Sequence, residues 1–219
     1  MINKNLISEL TGTFFLSAGV IGSGIMAGNL SNGNIALSLL SNTVATGSIL
    51  YVIIKMFSSI SGAHFNPVVS YVFYLNGYIN KNIFFKYVFV QLVGSCLGVL
   101  ITHYLFGLDL LQVSNNHRGE IKMFFSETIG TFGLISTILF IKDNDEKALA
   151  SGVALFICAG YWFIPSTCFA NPAILVGRVF TNSFTGIAPS SFLYFFLGQV
   201  FGAISAYFFY NQIKNKQDE

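Results

Sequence analysis

Charge is scarce in this chain of 219 residues: Asp, Glu, Lys and Arg make up 9% of it, against 53% apolar residues. A soluble domain carries about 25% charged residues, so this composition is unsuited to a water-exposed surface. The high hydrophobicity excludes a disordered chain, and a net charge of +2 leaves no basic field for a nucleic-acid partner. The composition therefore predicts an integral protein of the lipid bilayer, with one transmembrane domain over residues 1–219.

Cysteine and catalytic motifs are scarce as well. Cys96, Cys158 and Cys168 lie in apolar stretches, without the spacing of a disulfide framework or a zinc site. The sequence contains no Ser/His/Asp grouping, phosphate-binding loop or metal-ligand cluster that would suggest an enzyme. We therefore expect no enzymatic activity, no cofactor and no metal.

Long apolar runs dominate what is present. Six of them approach the length of about 20 residues that a transmembrane helix needs, and they predict an all-α fold with six spans. Two further apolar stretches, 66–76 and 171–181, are too short to span, and each begins with Asn-Pro. The six long segments lie at about 6–27, 36–57, 83–106, 121–141, 148–164 and 189–211.

Basic residues are distributed unevenly between the two sides of a six-helix path. Eight fall on one side and three on the other, and lysine and arginine are retained on the cytoplasmic side of a membrane. Both termini are therefore predicted to be cytoplasmic. The larger group is Lys4, Lys55, Lys81, Lys86, Lys142, Lys147, Lys214 and Lys216, and the smaller is Arg118, Lys122 and Arg178.

The two halves of the chain repeat the same landmarks in the same order. The segment SELTGTFFL at 8–16 returns as SETIGTFGL at 126–134. Because each half, about 1–107 and 121–213, holds three spans, the second copy must lie inverted in the membrane, which is typical of a transport pathway. The other matched landmarks are Asn66-Pro67 with Asn171-Pro172, Gln91 with Gln199, and Gly94 with Gly202.

The two Asn-Pro pairs predict matched half-helices. Asparagine caps the first amides of a helix, and proline at the first helical position lacks a donor it would not use. If the half-helices enter from opposite faces, their positive N-terminal ends meet near the midplane and repel cations and protons. The side-chain amides of Asn66 and Asn171 can then donate hydrogen bonds to a neutral solute, and carbonyls of 61–65 and 165–170 can accept them.

The boxes SGAHFNPVVS (61–70) and CFANPAILVGR (168–178) resemble the paired Asn-Pro-Ala boxes of the aquaporin and glycerol-facilitator family, the major intrinsic proteins. The resemblance covers nearly the whole chain and includes a glutamate in the first and fourth spans. It implies an aquaporin-like bundle with two re-entrant half-helices, a homotetramer with one pore per subunit, and passive conduction of water or small neutral solutes. It also implies that Glu9 and Glu127 accept hydrogen bonds from the backbone ahead of each half-helix.

The boxes depart from the family pattern at two positions. In the first box, Asn66, Pro67 and Val68, valine replaces alanine; in the second, Asn171, Pro172 and Ala173, the triplet is complete. Ile174 follows where the family usually has the arginine of the outer selectivity filter. Counting from the boxes without gaps, the remaining filter positions fall on Thr46, Ala159 and Cys168.

These four filter residues describe a constriction that is wide, partly apolar and uncharged. It favours a facilitator of glycerol-like polyols or neutral metalloid hydroxides such as arsenite, and also of water. The strings NTVATG before the first box and FANPA with a later GR in the second resemble bacterial members associated with arsenic resistance. That resemblance implies a location in the bacterial inner membrane.

Several assignments stay open. Arg178 lies one helical turn beyond Ile174 on the same face, so it either returns a cation to the outer pore or extends to the membrane interface. His64 either lines the cytoplasmic vestibule or packs through a hydrogen bond. Alternatives for the whole protein are a water-selective channel with an atypical filter, an ion-coupled secondary transporter and a non-conducting structural membrane protein.

Overall fold

A computed structural model describes residues 3–215, which form eight α-helices and one 3₁₀ turn, without a strand in that range. Lys216, which contributed to the predicted orientation, lies outside the described residues. The helices are α1 (Lys4–Leu30), α2 (Ile35–Ser61), α3 (Pro67–Leu75), α4 (Lys81–Leu105), α5 (Ile121–Asn144), α6 (Leu149–Phe163), α7 (Pro172–Val179) and α8 (Pro189–Asn215).

Five helices in the described range, α1, α2, α4, α5 and α8, are long and apolar enough to cross a membrane. The span expected at 148–164 is present as α6, but it has 15 residues and a length of about 22 Å. It ends at Phe163 because Ile164 is extended ahead of Pro165, and a residue before proline disfavours helical backbone. The all-α membrane fold is confirmed, and α6 is shorter than the five long helices.

The two half-helices begin at the prolines of the Asn-Pro pairs. Asn66 caps α3 by accepting a hydrogen bond from the Val68 amide at 3.0 Å. Asn171 caps α7 by accepting from the amides of Ala173 at 3.0 Å and Ile174 at 3.3 Å. Because the side-chain oxygens serve as caps, the amide groups of both asparagines are directed away from their own helices.

The repeat is also present in the helix packing. Helix α1 lies along α4, and α5 lies along α8. A Cβ atom at Gly94 would meet the carbonyl oxygen of Leu10, and one at Gly202 would meet that of Thr128. Both glycines are therefore needed for the close approach of two backbones, and they occupy equivalent positions in the two halves.

Candidate functional site

Two short segments lead into the half-helices, and we call them the first loop (62–65) and the second loop (167–170). Both contain non-glycine residues with left-handed backbone, a conformation that L-residues rarely adopt and that persists only where the surroundings hold it. The residues one and three positions before each asparagine are affected, and the left-handed Thr167 corresponds to the left-handed Gly62, so the loops share one backbone shape. The residues are Ala63 and Phe65 in the first loop, and Thr167, Cys168 and Ala170 in the second.

A fully buried glutamate holds the first loop. Glu9 on α1 accepts hydrogen bonds from the amides of His64 at 2.9 Å and Phe65 at 2.7 Å. It also accepts from the Ser61 hydroxyl at 2.7 Å and from the Gln91 side chain at 2.8 Å. These bonds satisfy amides that the irregular backbone leaves without helical partners.

The second loop is held in the same way from α5. Glu127, also fully buried, accepts from the amides of Phe169 at 3.0 Å and Ala170 at 2.9 Å. The Gln199 side chain donates to the same carboxylate at 2.6 Å. The repeat seen in the sequence thus places equivalent donors around equivalent carboxylates.

The two box asparagines join the loops to each other. The side-chain amide of Asn66 donates to the Ala170 carbonyl at 2.7 Å, and that of Asn171 donates to the Phe65 carbonyl at 2.9 Å. The sequence suggested that both amides are free for a solute. A side-chain amide has two hydrogens, so each asparagine keeps one for the cavity that both line.

The cavity beside the loops has a volume of about 80 Å³ and two unlike walls. One wall consists of residues 62–65 and 168–170 of the two loops and of the two asparagines, whose side chains bring polar groups to it. The opposite wall is apolar and comes from α1, α2, α5 and α6. Its side chains are Leu16, Val20, Leu50, Ile54, Leu134, Ile138, Val153 and Ile157.

Seven of the fourteen predicted site residues line this cavity, and seven do not. Among the box residues, only the asparagines line it; Val68, Pro172 and Ala173 are buried in packing, and Pro67 is half-buried. The predicted residues that line the cavity are Asn66, Asn171, Thr46, Cys168, Ile174, Arg178 and His64.

Ala159 requires a correction, because the structure places it on an exposed face of α6 rather than at the cavity. Two residues later, Tyr161 lines the cavity, and its hydroxyl lies 3.1 Å from the Thr46 hydroxyl. Two positions along a helix correspond to a rotation of about 200°, so the two side chains point to opposite faces. The constriction is therefore more filled and more polar than the sequence suggested.

Arg178 points into the cavity rather than to the membrane interface. It exposes only 3% of its surface, and its Nε donates to the Thr185 carbonyl. Its guanidinium carbon lies 3.3 Å from the centre of the Phe169 ring. Long side chains on a helix lean toward its N-terminus, so Arg178 reaches back over the turn that carries Ile174. Of the two alternatives for Arg178, the structure places its side chain at the cavity, so a cation borders the uncharged residues Thr46, Cys168 and Ile174.

Arg118, which entered above only as one of the three basic residues of the smaller group, lies beside Arg178. Its Nε donates to the Gly186 carbonyl at 2.7 Å, and its Nη2 donates to the Phe184 carbonyl at 2.8 Å. Its guanidinium carbon lies 5.3 Å from the centre of the Phe169 ring. Burial lowers the pKa of Arg118 to about 10, so it remains protonated at neutral pH.

His64 lines the cavity and also makes the packing hydrogen bond that was one of its two predicted alternatives. Its Nδ1 lies 3.0 Å from the Ser70 hydroxyl. Its ring packs against Phe73, with ring centres 4.4 Å apart. The hydrogen bond fixes the ring while one edge stays at the cavity wall.

Two half-helices that meet head to head beside a narrow cavity, inside a bundle of apolar helices, define a membrane channel. The geometry repeats on an inverted copy, as in transport proteins built from two halves. The chain belongs to the major intrinsic protein family, whose model matches residues 1–159. Members of that family are channels rather than enzymes.

Individual relatives agree with this assignment. The chain is 40% identical over 205 residues to the aquaglyceroporin AqpS of Rhizobium meliloti, covering 94% of this chain and 88% of the relative. It is 29% identical over 206 residues to the aquaglyceroporin of Toxoplasma gondii, covering 90% and 75%. The X-ray structure of the aquaglyceroporin from Plasmodium falciparum has the same fold, with a TM-score of 0.71, 23% identity and 98% of each chain covered.

Proposed function

We propose that this protein is a passive channel for small uncharged solutes of glycerol size, together with water. The two-sided cavity is the observation that carries the proposal. The side-chain amides of Asn66 and Asn171 on one wall suit the hydroxyl groups of a polyol, and the apolar wall suits its carbon backbone. The relatives named aquaglyceroporin support the same reading.

Neutral metalloid hydroxides such as arsenite belong to the same proposal, because they are uncharged and present hydroxyl groups. The filter residues Thr46, Tyr161, Cys168 and Ile174 support it. Ile174 leaves its position free of charge, and the hydroxyls of Thr46 and Tyr161 offer polar contacts. The filter therefore combines apolar side chains with hydroxyl groups and the bordering guanidinium of Arg178, which together suit a neutral solute that presents hydroxyl groups.

The positive groups at the cavity support a passive pore that excludes cations over an ion-coupled transporter. The positive ends of α3 and α7 meet at the cavity, and Arg178 borders it. Glu9 and Glu127 are the acids within the bundle, and both are engaged by loop amides. A carboxylate held in this way is unavailable as a coupling-ion site.

The proposed assembly is a homotetramer in the bacterial inner membrane, with both termini in the cytoplasm. The unequal distribution of basic residues supports the orientation, and large apolar side chains on the outer faces of the bundle support contact with lipid or with other subunits. Native mass spectrometry of the detergent-solubilised protein tests the subunit number. To test the orientation, a cysteine is added at either terminus of the protein and its labelling is measured in intact cells.

Light scattering by proteoliposomes tests the function. Vesicles with the purified protein are mixed with hyperosmotic sucrose, glycerol or a larger polyol, and protein-free vesicles serve as the control. We expect shrinkage in sucrose to accelerate and re-swelling in glycerol to follow, as in a solute pore. Fast shrinkage without re-swelling would favour a water-selective channel. Saturable, ion-dependent uptake would favour a transporter, and rates equal to those of protein-free vesicles would favour a structural protein.

A further inference from the structure

The sequence contains two arginines, and both lie against one aromatic ring. Arg118 comes from the segment between α4 and α5, and Arg178 from the last turn of α7. Their guanidinium carbons are 5.3 Å and 3.3 Å from the centre of the Phe169 ring. The fold therefore brings two cations together at one end of the cavity, although like charges repel.

Neither of these two charges forms an ion pair in the described part of the chain. Both guanidinium groups donate to carbonyls of Phe184, Thr185 and Gly186, which are neutral. Glu127 lies behind the second loop, where its oxygens accept from the loop amides and Gln199, and its one negative charge cannot balance two guanidinium groups. The cluster keeps a net positive charge, and a buried cation without a partner is costly.

The donors that remain face open space. Within residues 3–215, no protein hydrogen bond is made by either terminal nitrogen of Arg178 or by Nη1 of Arg118. Both side chains border a vestibule of about 370 Å³, and Arg178 also lines the narrow cavity. The vestibule adds further polar groups from Asn116, His117 and Thr167.

We propose that this vestibule binds a small oxyanion, of carboxylate to phosphate size, between Arg118 and Arg178. Guanidinium groups match such anions because their parallel N–H donors bond two oxygens at once. A bound anion would neutralise the cluster and stand across the entrance to the cavity, where it would compete with a neutral solute. Anion binding does not require conduction, so this proposal can fail or succeed independently of the proposed function.

Equilibrium dialysis with radiolabelled inorganic phosphate tests the site on the full chain in lipid nanodiscs, at constant ionic strength set with sodium chloride. We expect saturable binding of one phosphate per chain, and displacement by sulfate. Uptake no greater than that of empty nanodiscs at millimolar phosphate would overturn the proposal. Phenylglyoxal, which modifies arginine, gives a second readout without any substitution: phosphate should slow its reaction at Arg118 and Arg178.

Substitutions then locate the site. Arg178→Lys keeps the charge but loses the planar fork, and Arg118→Gln loses the charge, so each should weaken phosphate binding by roughly tenfold or more. Lys122→Gln is the matched control, because it removes an exposed positive charge near Arg118 in sequence and lies outside the cluster. Its binding should stay within about twofold of the parent. Phosphate binding that weakens as much in Lys122→Gln as in the arginine variants would contradict the assignment. Unchanged binding in both arginine variants, together with no protection of the arginines from phenylglyoxal by phosphate, would also contradict it.

Discussion

The first loop has His64 where the second loop has Phe169, since both residues stand two positions before a box asparagine. The backbone amides of both donate to a buried glutamate. Their side chains make different contacts: His64 lies within hydrogen-bond distance of Ser70 in its own half, whereas the ring of Phe169 packs against the guanidinium groups of Arg118 and Arg178. The two halves therefore share a backbone frame and differ in what they present to the passing solute.

This difference separates two tasks of the molecule. The frame needs carboxylates, capping asparagines and close helix contacts, and it uses them in both halves. Discrimination needs side chains of particular size and charge, and these are concentrated around the second loop, at Tyr161, Ile174 and Arg178. Changes to the frame should act equally in both halves, and changes to the filter should act on selectivity.

The largest expected effect comes from removing the glutamates. Glu9→Ala and Glu127→Ala each leave buried amides without an acceptor, which we expect to cost roughly 3–5 kcal/mol and to abolish folding of the channel. Recovery of monodisperse protein and the thermal unfolding midpoint in detergent measure it. Glu120→Ala is the control, since this exposed residue makes no side-chain cap bond at the start of α5. If only one of the buried glutamates matters, the frame is not symmetric.

Helix contact should show the same symmetry with a smaller effect. Gly94→Ala and Gly202→Ala place a Cβ against a backbone carbonyl of the neighbouring helix, and such overpacking costs roughly 1–3 kcal/mol. The unfolding midpoint measures both. Gly28→Ala is the matched control within a helix, because a Cβ there meets nothing within 4 Å. A loss of stability in Gly28→Ala as large as in the other two would remove the support for close packing at these glycines.

The filter should respond in selectivity rather than in stability. Ile174→Arg adds a second long cation beside Arg178, so we expect glycerol permeability to fall about tenfold or more while water permeability falls less. Stopped-flow light scattering measures both, and Ile174→Leu serves as the volume-matched control. Equal losses for glycerol and water would indicate that the constriction lies at another level of the pore.

The smallest structural change concerns the cysteine at the filter. Cys168 lines the cavity, so a mercurial reagent that enters the pore should reduce glycerol flux, and Cys168→Ser should restore it. Cys96→Ser and Cys158→Ser should leave the block in place, since neither residue lines the cavity. A block that persists in Cys168→Ser would place the reactive thiol elsewhere, and full flux in mercury would show that Cys168 is unreactive.

Much of the frame could be predicted from the sequence because it depends on local signals. Apolar length gives the spans, Asn-Pro gives the half-helix starts, and the matched glutamates follow from the repeat. Counting along the sequence from the boxes gave Ala159 instead of Tyr161. An error of two residues is enough to move the predicted side chain to the opposite face of α6. The contact between Arg118 and Phe169 could not be predicted, because the two residues are far apart in the sequence. The loop that brings them together has no periodic sequence pattern.

Passive conduction is tested most directly by the glycerol permeability of proteoliposomes, measured at several protein-to-lipid ratios and without an ion gradient. For a passive channel, we expect permeability to rise in proportion to the incorporated protein and not to saturate at high glycerol concentration. Permeability that stays at the value of protein-free vesicles, or that appears only when an ion gradient is imposed, would contradict passive conduction.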